Sequence, residues 1–406
     1  MNSVLLVGLV LSAGFLLGEM ARLVKLPKVT GYILGGIALN PTVTRIVPAS
    51  FVRHTDLTID VALSVIAFSV GGALSYSRLK KLGASVLLIT LFEAETALLL
   101  TATGFVLLLS FFPQPGFTGF LQTVVPFSIL LGTFACPTDP SATLAVTHEY
   151  RAKGRTSSTI LSVAGLDDVM GLTNFTLATT AAAVLIHHTS GKLFASLIHV
   201  IYSLGGAAIT GCAFAALMIL EDRIFKREGE GAHIVIVLSL LAACYGISAA
   251  FNFDSLLACM VMGACITNFS RLSDSAFGLL ERYTDELVFV LFFTLSAMQL
   301  DFTVLKGVLP LIGAFIVLRF AGKISGTLLA GKLAKYPIRQ SFHIGLGFIP
   351  QGGIVIGLAL VAGHDPTFKP FGQTIISIVI GSTISHEIVG PILATTGLRA
   401  EGELQE

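Results

Sequence analysis

The sequence predicts an all-α polytopic membrane protein with about 13 transmembrane helices, and three observations predict it. Hydrophobic residues fill 54% of the 406 positions against 12% charged, with a mean hydropathy of +0.87. That is far more apolar than a water-soluble domain can be. The apolar residues gather into runs long enough to cross the hydrocarbon, which takes roughly 20 residues of helix. Basic residues alternate between rich and poor loops along the whole chain.

In order, the spans run from about 3 to 21, 29 to 47, 58 to 76, 84 to 112, 122 to 147, 157 to 186, 193 to 220, 232 to 250, 255 to 270, 285 to 300, 307 to 331, 341 to 362 and 371 to 396. Helix follows from the medium, because a spanning chain must satisfy its own backbone groups. The 41 glycines permit close helix contacts and local breaks. The first run lacks a basic segment before it and a small-residue cleavage site, so it reads as a retained helix. Alternate loops carry Arg22, Lys25 and Lys28; Arg78, Lys80 and Lys81; Arg151, Lys153 and Arg155; Arg223, Lys226 and Arg227; Arg271 and Arg282; Lys332, Lys335 and Arg339; and Arg399. These 18 face one side, while Arg45, Arg53, Lys192, Lys306 and Lys369 face the other, and the last two of the 25, Arg319 and Lys323, lie inside a span. The N-terminus is therefore expected outside and the C-terminus in the cytoplasm.

Composition also excludes. A net charge of +1 offers no basic surface, so nucleic acid is not an expected partner. Cys136, Cys212, Cys244, Cys259 and Cys265 sit in apolar stretches without ligand spacing and read as small packing residues, not as a disulfide or metal framework. The longest polar loop, "EDRIFKREGEGAH" at 221–233, is a connector, and the tail "LRAEGELQE" is too short to fold. Whatever the chain does, it is expected to do within the bilayer.

Ionisable residues inside spans are then the informative ones, since each costs on the order of 2.5–3.5 kcal/mol at a helix centre. "GLDDVMGL" (165–172) places Asp167 and Asp168 side by side in an uncharged run. Adjacent helical residues point about 100° apart, so the two carboxylates cannot share one partner and are expected to divide the work. One span earlier, "FACPTDPSATLAV" (134–146) flanks Thr138 and Asp139 with Pro137 and Pro140. Each proline removes a donor and obstructs the preceding turn, so the helix should break there and present oxygens. A matching break is expected in "GFIPQGGIVIG" (347–357) at Pro350, Gly352 and Gly353, and breaks at corresponding places of two halves point to inverted repeats around a central ion site. Spans four to six would mirror spans eleven to thirteen. The eleventh span supplies cations: Arg319 and Lys323 are four apart on one face. A lysine facing Asp167 would offset part of the carboxylate cost.

Other polar residues rank lower. Glu93 and Glu95 either approach the core cavity or pack helices, and Glu19 is interfacial. His386 and Glu387 line the last span as possible secondary groups, and His148 and Glu149 adjoin a cytoplasmic loop where a histidine could sense pH. Asp60 and Asp254 lie at outer span ends, where solvent contact accounts for them.

"GEMARLVKLPKVTGYILGGIALNP" (18–41), "CPTDPSA", "GLDDVMGL", "RFAGKISG", "IPQGG" and "EIVGPIL", taken as an ordered set, resemble the monovalent cation:proton antiporters, in the branch of bacterial sodium/proton antiporters with an adjacent aspartate pair. The resemblance implies two crossed broken helices and a homodimer in a bacterial-type inner membrane, each protomer split into a dimerisation domain (1–82 and 223–302), a linker helix (189–222) and a core (83–188 and 303–406) that moves as an elevator. It implies that Asp168 is the main cation and proton carboxylate, that Asp167 pairs with Lys323, and that Thr138 and Asp139 belong to the crossing. One departure is that "TDP" is more typical of the branch whose later motif is Asn-Asp, which leaves the coupling ratio open. No cofactor and no enzymatic activity are implied, only transported Na+ or Li+ and H+.

The chemistry agrees with exchange. A proton and a cation compete for the same oxygens of a desolvated Asp168, and mutual exclusion makes an exchanger. Carboxylate, hydroxyl and carbonyl oxygens suit a hard monovalent ion, Na+ or Li+ before K+. If Asp167 also trades a proton as its lysine contact breaks, transport is electrogenic. Two rivals come from other classes: a cation channel, and an intramembrane aspartyl protease built on Asp139 and Asp168, for which no protease signature is present and Lys323 has no role.

Overall fold

A computed structural model of the chain describes residues 3–24, 28–52, 54–112, 117, 119–139, 152–186, 193–225, 230–270, 273–283, 285–300, 302–351 and 354–404. Pro140, His148, Glu149, Gly352 and Gly353 lie outside the described residues, as do the loop residues Lys25, Arg53, Arg151, Lys192, Lys226, Arg227 and Arg271. The described residues form helices and connecting turns, with no strand among them.

Each predicted span has a helix. Seven are long and apolar enough to cross a membrane: α1 (Ser3–Leu23), α5 (Tyr76–Phe111), α7 (Arg155–Ile186), α8 (Leu193–Phe225), α9 (Glu230–Ala250), α14 (Leu309–Leu333) and α17 (Gly372–Ala400). Six shorter apolar helices complete the set: α2 (Lys28–Leu39), α4 (Asp56–Ala73), α6 (Val125–Phe134), α10 (Ser255–Phe269), α12 (Asp285–Met298) and α16 (Ile354–His364). Three short helices connect them, α3 (Ala49–Val52), α11 (Ser273–Tyr283) and α13 (Phe302–Gly307), and α15 (Ile338–Leu346) opens the twelfth predicted span ahead of α16.

Local chemistry explains the boundaries. Span two is shorter than predicted because Asn40 ends it: its side-chain amide donates to the carbonyls of Met298 and Leu300, both at 2.9 Å, and Pro41 follows. In α5 the backbone turns left-handed at Gly83 (φ 79°), so the straight apolar stretch begins where the sequence places it. At the end of α1, Glu19 pairs with Arg22 at 2.5 Å and Lys28 at 2.8 Å, and Lys28 reaches Glu286 at 2.5 Å.

Close packing sets the frame around the site. α14 lies along α5, and a Cβ at Gly322 would stand 2.5 Å from the Ala97 Cα. α6 and α7 pack on α5, and α17 packs on α15 and α16. α4 crosses α10 so closely that a Cβ at Gly71 would stand 2.0 Å from the Met260 carbonyl oxygen. α1, α2 and α12 pack on one another, and α12 also contacts α4. At one end of the core, Glu403 accepts from the backbone N–H groups of Thr156 and Ser157 at 2.7 and 2.8 Å, capping α7. Beside it, Glu401 contacts His343 of α15 at 2.5 Å.

Candidate functional site

The site is built on two interrupted spans. α6 stops at Phe134 and the chain runs non-helically through 135–139; α15 stops at Leu346 and the chain runs through 347–351 before α16. Pro137 and Pro350 lie in these segments, where helical bonding fails. The segments cross: the Asp139 N–H donates to the Pro350 carbonyl at 3.1 Å, and the Thr138 hydroxyl to the Phe348 carbonyl at 3.4 Å. Freed carbonyls therefore converge from both segments, as expected where broken backbone is enclosed by protein.

α14 delivers both cations to that crossing, in different roles. Lys323 Nζ stands 2.6 Å from Glu93 Oε2 and 3.1 Å from Asp167 Oδ2, and donates to Thr138 Oγ1 at 3.0 Å and to the Cys136 carbonyl. An ammonium has three donors, so these four oxygens already exceed its capacity. Arg319, the second cation of this span, turns to backbone carbonyls. Its two terminal nitrogens donate to the carbonyls of Ile349 (2.6 Å), Pro137 (2.8 Å), Pro350 (3.2 Å) and Phe348 (3.4 Å). Carbonyls at broken helix ends carry partial negative charge, so a guanidinium fork bridging both segments is the natural clamp.

The adjacent aspartates part as helix geometry requires. Asp167 is sealed, at 0% exposure, against Lys323. Asp168 is partly accessible as a residue, but its Oδ1 is buried and has no hydrogen-bond partner among the described residues. Asp139, on the crossing, lies within electrostatic reach of Asp168. Five carboxyls thus meet here, Glu93, Asp139, Asp167, Asp168 and Glu387, against the two cations Arg319 and Lys323. A dry interior does not hold that excess of negative charge. Protons or bound cations must supply the difference.

Of the lower-ranked residues, Glu93 proves central. Glu95 stands aside, accepting from Asn174 at 2.9 Å. His386 is buried on α17, bonded through Nδ1 to Gln351 Oε1 at 2.7 Å and lying edge-on to Phe315. Gln351, which the sequence did not single out, donates in turn to the Phe134 carbonyl at 3.2 Å, tying the second break to the end of α6. Asp254 is not simply solvated: it is the N-cap of α10, accepting from Leu257 N–H at 2.8 Å. Asp60 accepts from Tyr245 at 2.9 Å beside a cavity of about 300 Å³ that His364 also lines. The five cysteines are free thiols; Cys136, Cys244 and Cys259 are buried as expected, but Cys212 is exposed. Among the described residues no group of three or more His, Cys, Asp or Glu is arranged to hold a metal ion.

A family model described as "Sodium/hydrogen exchanger, transmembrane" matches residues 8–396. The chain belongs to the sodium/hydrogen exchanger family. Members of this family are transporters rather than enzymes. Two Arabidopsis thaliana proteins, Cation/H(+) antiporter 15 and Cation/H(+) antiporter 19, are each 24% identical to this family member, over 90% and 86% of the chain. The chain spans 44% of the length of either plant relative. Its fold matches a structure of the sodium proton antiporter MjNhaP1 from Methanocaldococcus jannaschii at pH 8, with a TM-score of 0.75 and 18% identity over 100% of this chain and 99% of that one. An electron-microscopy structure of the same antiporter gives 0.67. At this identity the likeness establishes the fold alone, that of a multi-pass helical membrane protein.

Proposed function

We propose that the chain exchanges a monovalent cation, Na+ or Li+ first, for protons at Asp168. The observation that carries this reading is the division of the aspartate pair: Asp167 is sealed on Lys323, while Asp168 is partly open with Asp139 within electrostatic reach. A cation entering there meets carboxylate oxygen, a hard ligand suited to Na+ or Li+, and it must displace the proton that otherwise neutralises Asp168. The family and the plant relatives, named as cation/H+ antiporters, support it. Potassium is the alternative substrate.

The same reading divides the chain into a dimerisation domain (1–82 and 223–302), a linker (189–222) and a mobile core (83–188 and 303–406), with elevator movement of the core in a homodimer. The N-terminus is outside and the C-terminus cytoplasmic, in a bacterial-type inner membrane. Lys323, overfilled with acceptors, lets Asp167 take up a proton when the contact opens, which makes transport electrogenic.

The test is cation-induced proton movement in proteoliposomes with Na+, Li+ and K+, for wild type and Asp168→Asn. We expect saturable exchange with Na+ and Li+, reduced by at least about two orders of magnitude in the variant, the scale set by removing a group that carries the reaction. Retained exchange in Asp168→Asn overturns the site. Exchange that carries no net current and does not respond to membrane voltage removes the electrogenic step.

A further inference from the structure

Glu387, on α17, has 0% exposure, and neither carboxylate oxygen has a hydrogen-bond donor among the described residues. The group within hydrogen-bonding reach is itself an acceptor, the Asp139 carboxyl; the Arg319 guanidinium acts on it only at longer range. Arg319 is committed elsewhere, to four backbone carbonyls. Lys323 is likewise occupied by Glu93 and Asp167, and the neighbouring His386 turns to Gln351 and Phe315. The contact with Asp139 is imposed by backbone packing. One turn beyond Glu387, a Cβ at Gly390 would stand 2.7 Å from the Pro350 nitrogen, and the Pro350 carbonyl accepts the Asp139 N–H at 3.1 Å. α17 is therefore seated on the crossing where Asp139 begins.

Two carboxyls side by side in a dry site do not both ionise; one keeps a proton and donates it to the other. Asp139 is the member that also faces Asp168, and a cation there gains from its charge. Glu387 faces no cation of its own. We propose that Glu387 is a positioning residue for cation capture: it stays protonated through the cycle and donates its hydroxyl to the Asp139 carboxylate, holding Asp139 charged beside Asp168. No bond is made or broken at Glu387, and its proton is not cargo. The proposal rests on the antiport reading of Asp168.

The experiment compares wild type, Glu387→Gln and Glu387→Leu in proteoliposomes, reading the KM for Na+, the turnover at saturation, the pH profile and the charge moved per cation. Gln keeps an N–H donor, so its KM stays within about twofold of wild type and its pH profile is unchanged. Leu removes the donor, and a hydrogen bond to a charged group corresponds to about tenfold or more in KM. Turnover at saturation is retained and the profile moves to higher pH, because cation must now compete with a proton on Asp139. A Leu variant with wild-type KM and profile overturns the proposal, as does a Gln variant that moves a different charge per cation. Should Glu387→Leu not fold, the infrared spectrum of wild type minus Glu387→Gln decides. A protonated-carboxyl band that Na+ leaves unchanged supports the assignment; its absence, or its loss on adding Na+, overturns it. If wild type moves no protons in response to any cation, the antiport reading itself falls. Normal exchange that Asp168→Asn abolishes and Glu387→Leu leaves alone sinks only the role of Glu387.

Discussion

The crossing of the broken spans and the crossing of α4 with α10 solve the same problem in opposite ways. At α4–α10, backbones meet through Gly71 and Gly263, and the surroundings are apolar: Leu63, Phe68, Met260 and Met262. Their hydroxyls are satisfied by nearby backbone, Ser64 by the Val61 carbonyl at 2.7 Å and Thr267 by the Gly72 carbonyl at 3.1 Å. At the broken crossing the helices stop, and five carboxyls share two cations. Close packing without buried charge is evidently available to this chain, so stability alone does not account for the charged crossing. A group of charges that only exchangeable ions can complete is better understood as a site where ions bind and leave.

The largest effect that sharpens this contrast is expected at Lys323. Lys323→Ala strands Glu93 and Asp167 and removes the donor to Thr138 and the Cys136 carbonyl. Breaking a buried ion pair from one side costs about 3–5 kcal/mol, so the melting temperature in detergent should fall sharply. Lys323→Ala combined with Asp167→Asn should recover part of it. A single variant as stable as wild type breaks the contrast, because the charges would then not be bound to one another as described.

Gly71→Val probes the other crossing. Its Cβ would stand 2.0 Å from the Met260 oxygen, and overpacking of this kind costs about 1–3 kcal/mol. Thermal stability should drop while the KM for Na+, measured on the folded fraction, stays put. A changed KM would show that the packed crossing also governs the ion site.

The smallest effect is expected at Glu403. Burial pushes its carboxyl up, but the backbone and hydroxyl groups of Ser157 and Thr156 outweigh this and hold it below the usual carboxylate range. A lowered value means that the cap on α7 stabilises the protein above the ordinary carboxylate range and is lost as pH falls through the lowered value. Glu403→Ala should therefore cost about 1 kcal/mol or less near neutral pH after solvent screening, with the two melting curves converging in acid. Curves that diverge toward acid would reverse the sign and refute the cap.

Much of the site was legible in advance because a membrane makes single residues conspicuous. Asp167, Asp168, Arg319 and Lys323 stand out as charges in apolar runs, and Pro137 and Pro350 announce breaks whatever surrounds them. Glu93 was harder, since it and Glu95 sit two apart on one helix and point different ways. The turn of α5 that presents Glu93 to Lys323 is set by the close approach of Gly322 and Gly326 from α14. Gln351 and Asn174 carry no charge and break no pattern, so nothing local marked them.

From the sequence alone came the medium, the number of spans, the places where helices fail and the charges that a bilayer penalises, because each depends on a residue and its near neighbours. The tertiary structure decided which oxygen meets which cation: Lys323 with Glu93 and Asp167, Arg319 with four carbonyls, Glu387 with Asp139. Those contacts join residues tens to hundreds of positions apart, and their distances are fixed by helix packing, which no local pattern of side chains encodes.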